Sequence, residues 1–183
     1  MSENLKKKHR LTWAWNYEKE EQWINELSEQ GLHLKKPGLF TSLFSYDPSV
    51  RYTYGMDYQP ELRTSSKLQD YFDLYQDAGW EHITSYKGVW HYFRREWNPG
   101  ERPRLYTDRE SLVVQYKKLQ RVIGLLLLLN LVIFSVNMAN LFSRFSSSLW
   151  GIILPVMAIY IILFGLLGYG YVKMGNKIKK QAN

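Results

Sequence analysis

The sequence predicts an α+β chain in two parts: a ferredoxin-like β-α-β-β-α-β domain, followed by two transmembrane helices. Three observations carry this. Short segments of period-2 and period-3.6 apolar spacing alternate through residues 9–97. All 17 acidic residues lie before Ser111. Beyond that point two charge-free apolar stretches, 122–143 and 145–172, each match the roughly 20 residues that cross a bilayer.

The elements follow in order. "LTWAW" alternates Leu11, Trp13 and Trp15 and reads as a first strand. Asn16 is placed to cap a helix that carries Trp23, Ile24 and Leu27 on its apolar face. Glu18, Glu21, Gln22, Asn25, Glu26 and Glu29 fall opposite, and Gly31 suits the stop. "LFTSLFSY" and "VRYTYGMDY", joined by "DPS", read as a hairpin. Ser66 and Gln69 form a capping-box pattern before a second helix with Leu68, Tyr71, Phe72, Tyr75 and Ala78 as its stripe, ending at Gly79. "HITSY" and "VWHYF" around Lys87 and Gly88 read as a closing hairpin. The expected result is a four-stranded sheet with two helices on one face.

The domain plan is 1–97 for the ferredoxin-like unit and 98–121 for a linker and juxtamembrane helix, in which Thr107 and Glu110 make a further capping box. Spans at 122–143 and 149–172 follow, joined by a short loop at 144–148, with a basic tail at 173–183. Cations flank the spans on one side, "YKKLQR" before the first and "KMGNKIKK" after the second, against the single Arg144 between them. The positive-inside rule then expects a two-pass protein of the cell membrane with both termini cytoplasmic. The N-terminal "KKKHR" run reads as an electrostatic contact with anionic lipid. It lacks the apolar core of a signal peptide, and the absence of cysteine fits a reducing compartment.

The basic charge belongs mostly to the membrane edges, so it does not argue for nucleic acid. The fold class does raise that question, because RNA-recognition modules stack bases on aromatics of the open sheet face. Here Tyr52, Tyr54, Met56 and Tyr58 share the side that must cover the helices. Arg51, Thr53, Gly55 and Asp57 are left for the open face, which is small and polar. Nucleic acid is therefore not expected as a partner.

The twenty residues "AGWEHITSYKGVWHYFRREW" concentrate aromatics on the last hairpin. Packing under a loop, a docking surface for another protein, and the wall of a small-molecule pocket all suit such a cluster. Trp80, Trp90, Tyr92, Arg94 and Arg95 are the candidate partner or ligand surface. Which side of the last strand is covered stays open. His9, His33, His82 and His91 lack metal-ligand spacing, and no Walker loop, nucleophile elbow or dinucleotide turn occurs, so neither catalysis, metal nor cofactor is expected. In the spans, Asn130 lies near mid-membrane and is a candidate for interhelical hydrogen bonding. Gly165 and Gly168 would let another helix approach, a route to homo-oligomers. Pro155 is a candidate kink in the second span.

The soluble segments resemble one known family. "EEQWINELSEQGLHL", "FSYDPSVRYTYGMDYQ", "YFDLYQDAGWEHI" and "VWHYFRR" are together similar to the bacterial membrane proteins grouped as "domain of unknown function 2812", over about residues 10–120, and a two-span tail is common there. Leu32 stands where the family often has a second Trp. The resemblance implies no reaction or ligand. Family members occur beside PadR-type transcription regulators and transport or envelope-stress genes, which implies a regulatory role. The expected function is thus a non-enzymatic, membrane-anchored regulatory or sensory protein whose cytoplasmic domain binds a protein partner or small ligand. The alternative is an accessory subunit of a membrane transporter acting through its spans.

Overall fold

A computed structural model describes residues 5–63, 66–101, 104–106, 108–143 and 150–182. The chain divides into two compact units, Met1–Thr107 and Asp108–Asn183.

The first unit is α+β, with strands β1 (Lys6–His9), β2 (Leu32–Lys36), β3 (Thr41–Tyr46), β4 (Tyr52–Tyr58), β5 (Glu81–Tyr86) and β6 (Trp90–Glu96), and helices α1 (Tyr17–Glu29) and α2 (Leu68–Asp77). A single four-stranded ferredoxin-like sheet is not what forms. Hydrogen bonds join the strands into two antiparallel three-stranded sheets, ordered β1-β3-β2 and β4-β6-β5.

The expected hairpin between β3 and β4 does not exist, although both strands do. β3 is occupied on both sides, by β1 and β2. β4 pairs with β6 on one side, and side chains of α1 fill its other edge. Asn25 Oδ1 accepts from the Tyr54 N–H at 2.8 Å, and Asn25 Nδ2 donates to the Tyr54 carbonyl at 3.1 Å. Ser28 Oγ accepts from the Tyr52 N–H at 2.9 Å, and Glu21 Oε2 from the Met56 N–H at 3.0 Å. Residues 21, 25 and 28 recur at the i, i+4, i+7 spacing of one helix face, and 52, 54 and 56 are the alternate, outward-facing positions of an edge strand. Glu21 and Asn25, expected on the solvent side of α1, are therefore turned to the sheet. Between β3 and β4 the chain reverses in an Asx turn, where Asp47 Oδ1 accepts from the Ser49 N–H at 3.0 Å. Gly31, at φ 75°, lets that turn approach closely: a Cβ there would stand 2.8 Å from the Pro48 Cα.

The N-terminal expectation is also corrected. The first strand is the lysine run itself, so "KKKH" is the edge of a sheet, where cations discourage further strand pairing. Lys6 Nζ sits over the Tyr46 ring at 3.8 Å. Leu11–Trp15 is not a strand. The Asn16 N–H bonds the Trp13 carbonyl at 2.7 Å and starts a 3-10 turn over Ala14–Asn16, while Trp13 and Trp15 stack in parallel at 5.2 Å. Strand β2 is not among the expected elements, because "LHLKK" is short and ends in two lysines.

The closing hairpin forms as expected, with Lys87 (φ 56°) and Gly88 (φ 69°) in the left-handed turn that matches strand twist. Helix α2 presents Tyr71, Phe72 and Tyr75 to Phe93 of β6, at ring distances of 5.9, 6.2 and 4.5 Å. Lys67, not Ser66, takes its N-cap position, and Gln69 donates forward to Asp73 at 2.8 Å. Gly31 and Gly79 end their helices with positive φ.

The second unit is a helix pair, α3 (Arg109–Ser143) and α4 (Trp150–Ala182), both long and apolar enough to cross a membrane. The basic tail continues α4, and the helix begun before the first span runs into it without a break. Asp108 Oδ1 accepts from the Ser111 N–H at 2.7 Å at the start of α3. Thr107, the expected cap, and the 144–148 loop with Arg144 lie outside the described residues.

The polar ladder on β4 makes a direct prediction. Replacing Asn25 with Ala leaves a buried N–H and C=O unpaired and is expected to cost about 2–3 kcal/mol. The exposed neighbour Gln22→Ala, which loses only its bond to Glu26, should change stability by less than about 0.5 kcal/mol. Denaturant unfolding of the detergent-solubilised chain checks this, and equal losses for the two variants would contradict it.

Candidate ligand cleft

The order β4-β6-β5 pairs both edges of β6, and its side chains alternate between the two faces of the sheet. Trp90, Tyr92 and Arg94 share one with Tyr54, Met56 and Tyr58, while His91, Phe93 and Arg95 share the other with Gly55 and Asp57. The candidate surface residues are therefore divided between the two. Trp80 is buried, with the Arg95 guanidinium 5.9 Å from its ring, and Arg95 also pairs with Glu101 at 3.3 Å. Arg94 makes two bonds to Glu81, at 2.7 and 3.0 Å, and lies 4.2 Å over Tyr52. Arg94 and Trp80 each border a shallow, open depression of their own, with Tyr52 and Asp47 and with Phe72 and Glu81 respectively, and only Trp90 and Tyr92 meet in the same cavity.

That cavity is a cleft of about 140 Å³ lined by α1, the 10–14 segment, the loop before β3, and β3 to β6. Six rings line it: Trp13, Tyr17, Trp23, Tyr86, Trp90 and Tyr92. Trp90 is held between Tyr17 at 5.5 Å and Tyr58 at 4.9 Å. Trp23 meets Phe44 edge-on at 5.7 Å, and the Arg10 guanidinium lies 5.3 Å from its ring centre.

Glu20 is the carboxylate of this wall, and its Oε1 accepts from the Tyr92 hydroxyl at 2.9 Å. Burial raises the Glu20 carboxyl above its usual range, against the lowering effects of Tyr92 and Arg10. Next to it, burial pushes Glu21 up to about 7, against the Met56 N–H that bonds it. The sequence held a sign of this. Tyr17, Glu20, Glu21, Ile24, Leu27 and Ser28 recur at helical spacing, so two carboxylates sit within the stripe that buries Tyr17, Ile24, Leu27 and Ser28. Arg10, Trp13 and Tyr86 have no comparable signature, because only the fold brings them to the cleft.

The opposite face of β6 carries a second polar cluster. Asp57 is fully buried. Its Oδ2 accepts from Tyr71 at 2.6 Å, Gln59 at 2.9 Å and Tyr75 at 3.4 Å, and its Oδ1 accepts from the Tyr106 hydroxyl. The face expected to be open is thus closed by α2 and by residues 105–106. Gly55 is needed there, since a Cβ would stand 3.0 Å from that of Leu105. Ser85 Oγ lies 2.7 Å from His91 Nδ1 and 3.0 Å from His82 Nε2. A serine beside an imidazole is the start of a nucleophile and base. Here, however, His91 is 1% exposed, with the rings of Tyr71 and Phe72 at 5.5 and 5.3 Å. Burial holds its pKa down at about 4, with His82 adding to the effect and Asp57 opposing it. His91 Nε2 is buried without a hydrogen-bond partner, and His82 borders a shallow depression with Phe72, Trp80 and Glu81. Among the described residues no three His, Cys, Asp or Glu side chains gather as metal ligands.

In the helix pair, Asn130 Nδ2 donates to the Leu126 carbonyl of its own helix at 2.8 Å, and a Cβ on Gly165 or Gly168 would meet nothing within 4 Å. The contacts between the helices lie elsewhere. Asn137 Nδ2 donates to the Tyr160 hydroxyl at 2.9 Å and Gln120 Nε2 to the Tyr171 carbonyl at 3.2 Å, while Gly124 admits the Tyr171 ring.

These features define a class: an α+β domain with an aromatic, carboxylate-bearing cleft, followed by two helices of membrane-spanning length. The family model described as "Protein of unknown function (DUF2812)" matches residues 16–128, and the chain belongs to that family. No curated protein and no solved structure matches it.

The two half-buried carboxyls of α1 give stability a definite pH dependence. The folded Glu21 pKa of about 7 lies above the model-compound value of 4.5. Between these values the folded chain keeps a proton that the unfolded chain releases. The contribution of Glu21 is therefore most favourable below about pH 4.5 and is lost as pH rises to about 7, by on the order of 3 kcal/mol. Glu20 acts in the same sense. His82 and His91, lowered by burial, act in the opposite one, so the test is a difference. Glu21→Gln keeps an acceptor for Met56 and should remove this part of the slope between wild-type and variant unfolding curves. Parallel curves from pH 4.5 to 7 would contradict it.

Proposed function

We propose that this chain is a membrane-anchored regulatory protein that senses a small ligand in the cleft between α1 and β6. The two long apolar helices form a two-pass anchor with both termini in the cytoplasm. The observation that carries the reading is the cleft itself, which six rings line together with one half-buried carboxyl. Small-molecule sites have this make-up, an apolar and aromatic wall with few placed polar groups. A binding role suits it better than catalysis. The hydroxyls of its lining, Thr12 and Ser42, have no histidine beside them in the wall, and Ser42 Oγ is held by the Gly38 N–H at 3.2 Å. The basic ends of the two helices support the orientation.

Ligand-dependent stabilisation of the full chain in nanodiscs tests the reading. A small-molecule library should contain compounds that raise the unfolding free energy saturably, by about 2.7 kcal/mol at a hundredfold excess over Kd. Trp90→Ala should abolish the effect, and Trp97→Ala, outside the cleft, should not. Compounds that stabilise wild type and Trp90→Ala alike, or a library without a saturating compound, would overturn it.

A further inference from the structure

The lining of the cleft narrows the chemistry of its ligand, a step that rests on the reading above. We propose that the cleft binds a small quaternary or alkylated ammonium compound, the cation lying against the indole and phenol faces of Trp90, Trp13 and Tyr17 with Glu20 as its counter-charge.

Four observations converge on this. Aromatic faces are the negative ends of ring quadrupoles and attract a cation within about 6 Å, and six rings line this one cavity. Glu20 is the single acidic residue among the lining residues, and it is oriented by the Tyr92 hydroxyl at 2.9 Å. The space, about 140 Å³, approaches the roughly 150 Å³ cavity that takes a benzene-sized guest, so it suits a compact group rather than a long chain. Arg10, the single basic residue of the lining, already lies over Trp23 at 5.3 Å and lowers Glu20 through its charge. The lining thus already holds one cation beside one of its rings.

Other ligand classes fit less well. An anion would find Arg10 already engaged with Trp23 and with the charge of Glu20, and would face that carboxylate and the negative faces of the rings. A neutral apolar guest would desolvate Glu20 further and add no charge to compensate beyond Tyr92 and Arg10, which costs free energy. A methylated ammonium offers charge without N–H donors, which suits a wall whose one carboxylate already accepts from Tyr92.

Calorimetric titration of the full chain in phosphatidylglycerol nanodiscs tests the proposal, with choline and with its neutral carbon isostere, in which a quaternary carbon replaces the nitrogen. Choline is expected to bind at least about tenfold more tightly than the isostere, the ratio expected of a desolvated cation–π site. Glu20→Gln should weaken choline by about tenfold or more and leave the isostere unchanged, and Arg10→Gln should not weaken choline. A lipid headgroup carries the same trimethylammonium. Saturation by free choline assigns a diffusible ligand, whereas thermal stabilisation only in phosphatidylcholine nanodiscs assigns the headgroup. Isostere binding as tight as choline overturns the cation while the cleft stands as a ligand site. Binding of neither probe overturns the proposal, and the library screen then decides separately whether the cleft binds anything.

Discussion

The fold depends on one contact: the outer edge of β4 is satisfied by side chains of a helix. Edge strands expose a row of backbone donors and acceptors that would otherwise recruit another strand. Here Glu21, Asn25 and Ser28 occupy that row with four hydrogen bonds. The six strands consequently split into two sheets, and α1 becomes the element that belongs to both. Its Trp23 reaches Phe44 of β3 while its polar row holds β4. Buried hydrogen bonds of this kind add little net stability when made and are costly to leave unmade, so they specify the arrangement more than they drive it.

The cleft follows from the same placement. Neighbouring residues of a helix point about 100° apart, so Glu21 can serve the strand edge while Glu20 enters the cavity. Tyr92 of β6 anchors Glu20 from the other side. Burial raises both carboxyls, although the groups that oppose it differ: the Met56 N–H for Glu21, and Tyr92 with Arg10 for Glu20. The opposite side of β6 is closed by a separate device, Asp57 with its tyrosines, which holds residues 105–106 against Gly55. One strand thus carries a cavity wall on one face and a sealed polar core on the other.

Much of this was legible in the sequence because it is local. Apolar spacing located α1, α2, the last hairpin and the two long helices, and glycines at 31 and 79 marked two stops. Pairing was not legible. Alternation along β3 and β4 says which residues share a face but not which strand lies alongside, and a turn as strong as "DPS" suggests a hairpin even where both edges are taken. "LTWAW" misled for a related reason: its aromatics alternate because Trp13 and Trp15 stack across a 3-10 turn. In the cleft, Trp90 and Tyr92 were identifiable from aromatic density, and Glu20 from its place three residues before Trp23 on the apolar stripe. Arg10, Trp13 and Tyr86 come from distant segments and carry no local mark.

Amide hydrogen exchange at Tyr52, Tyr54 and Met56 tests the central contact most directly. These three donors have no strand partner, so an ordinary sheet edge would exchange them quickly. If α1 holds them, their exchange should be slowed to the range of Thr53, Gly55 and Asp57, which pair with β6. Fast exchange at 52, 54 and 56 beside slow exchange at 53, 55 and 57 would contradict it.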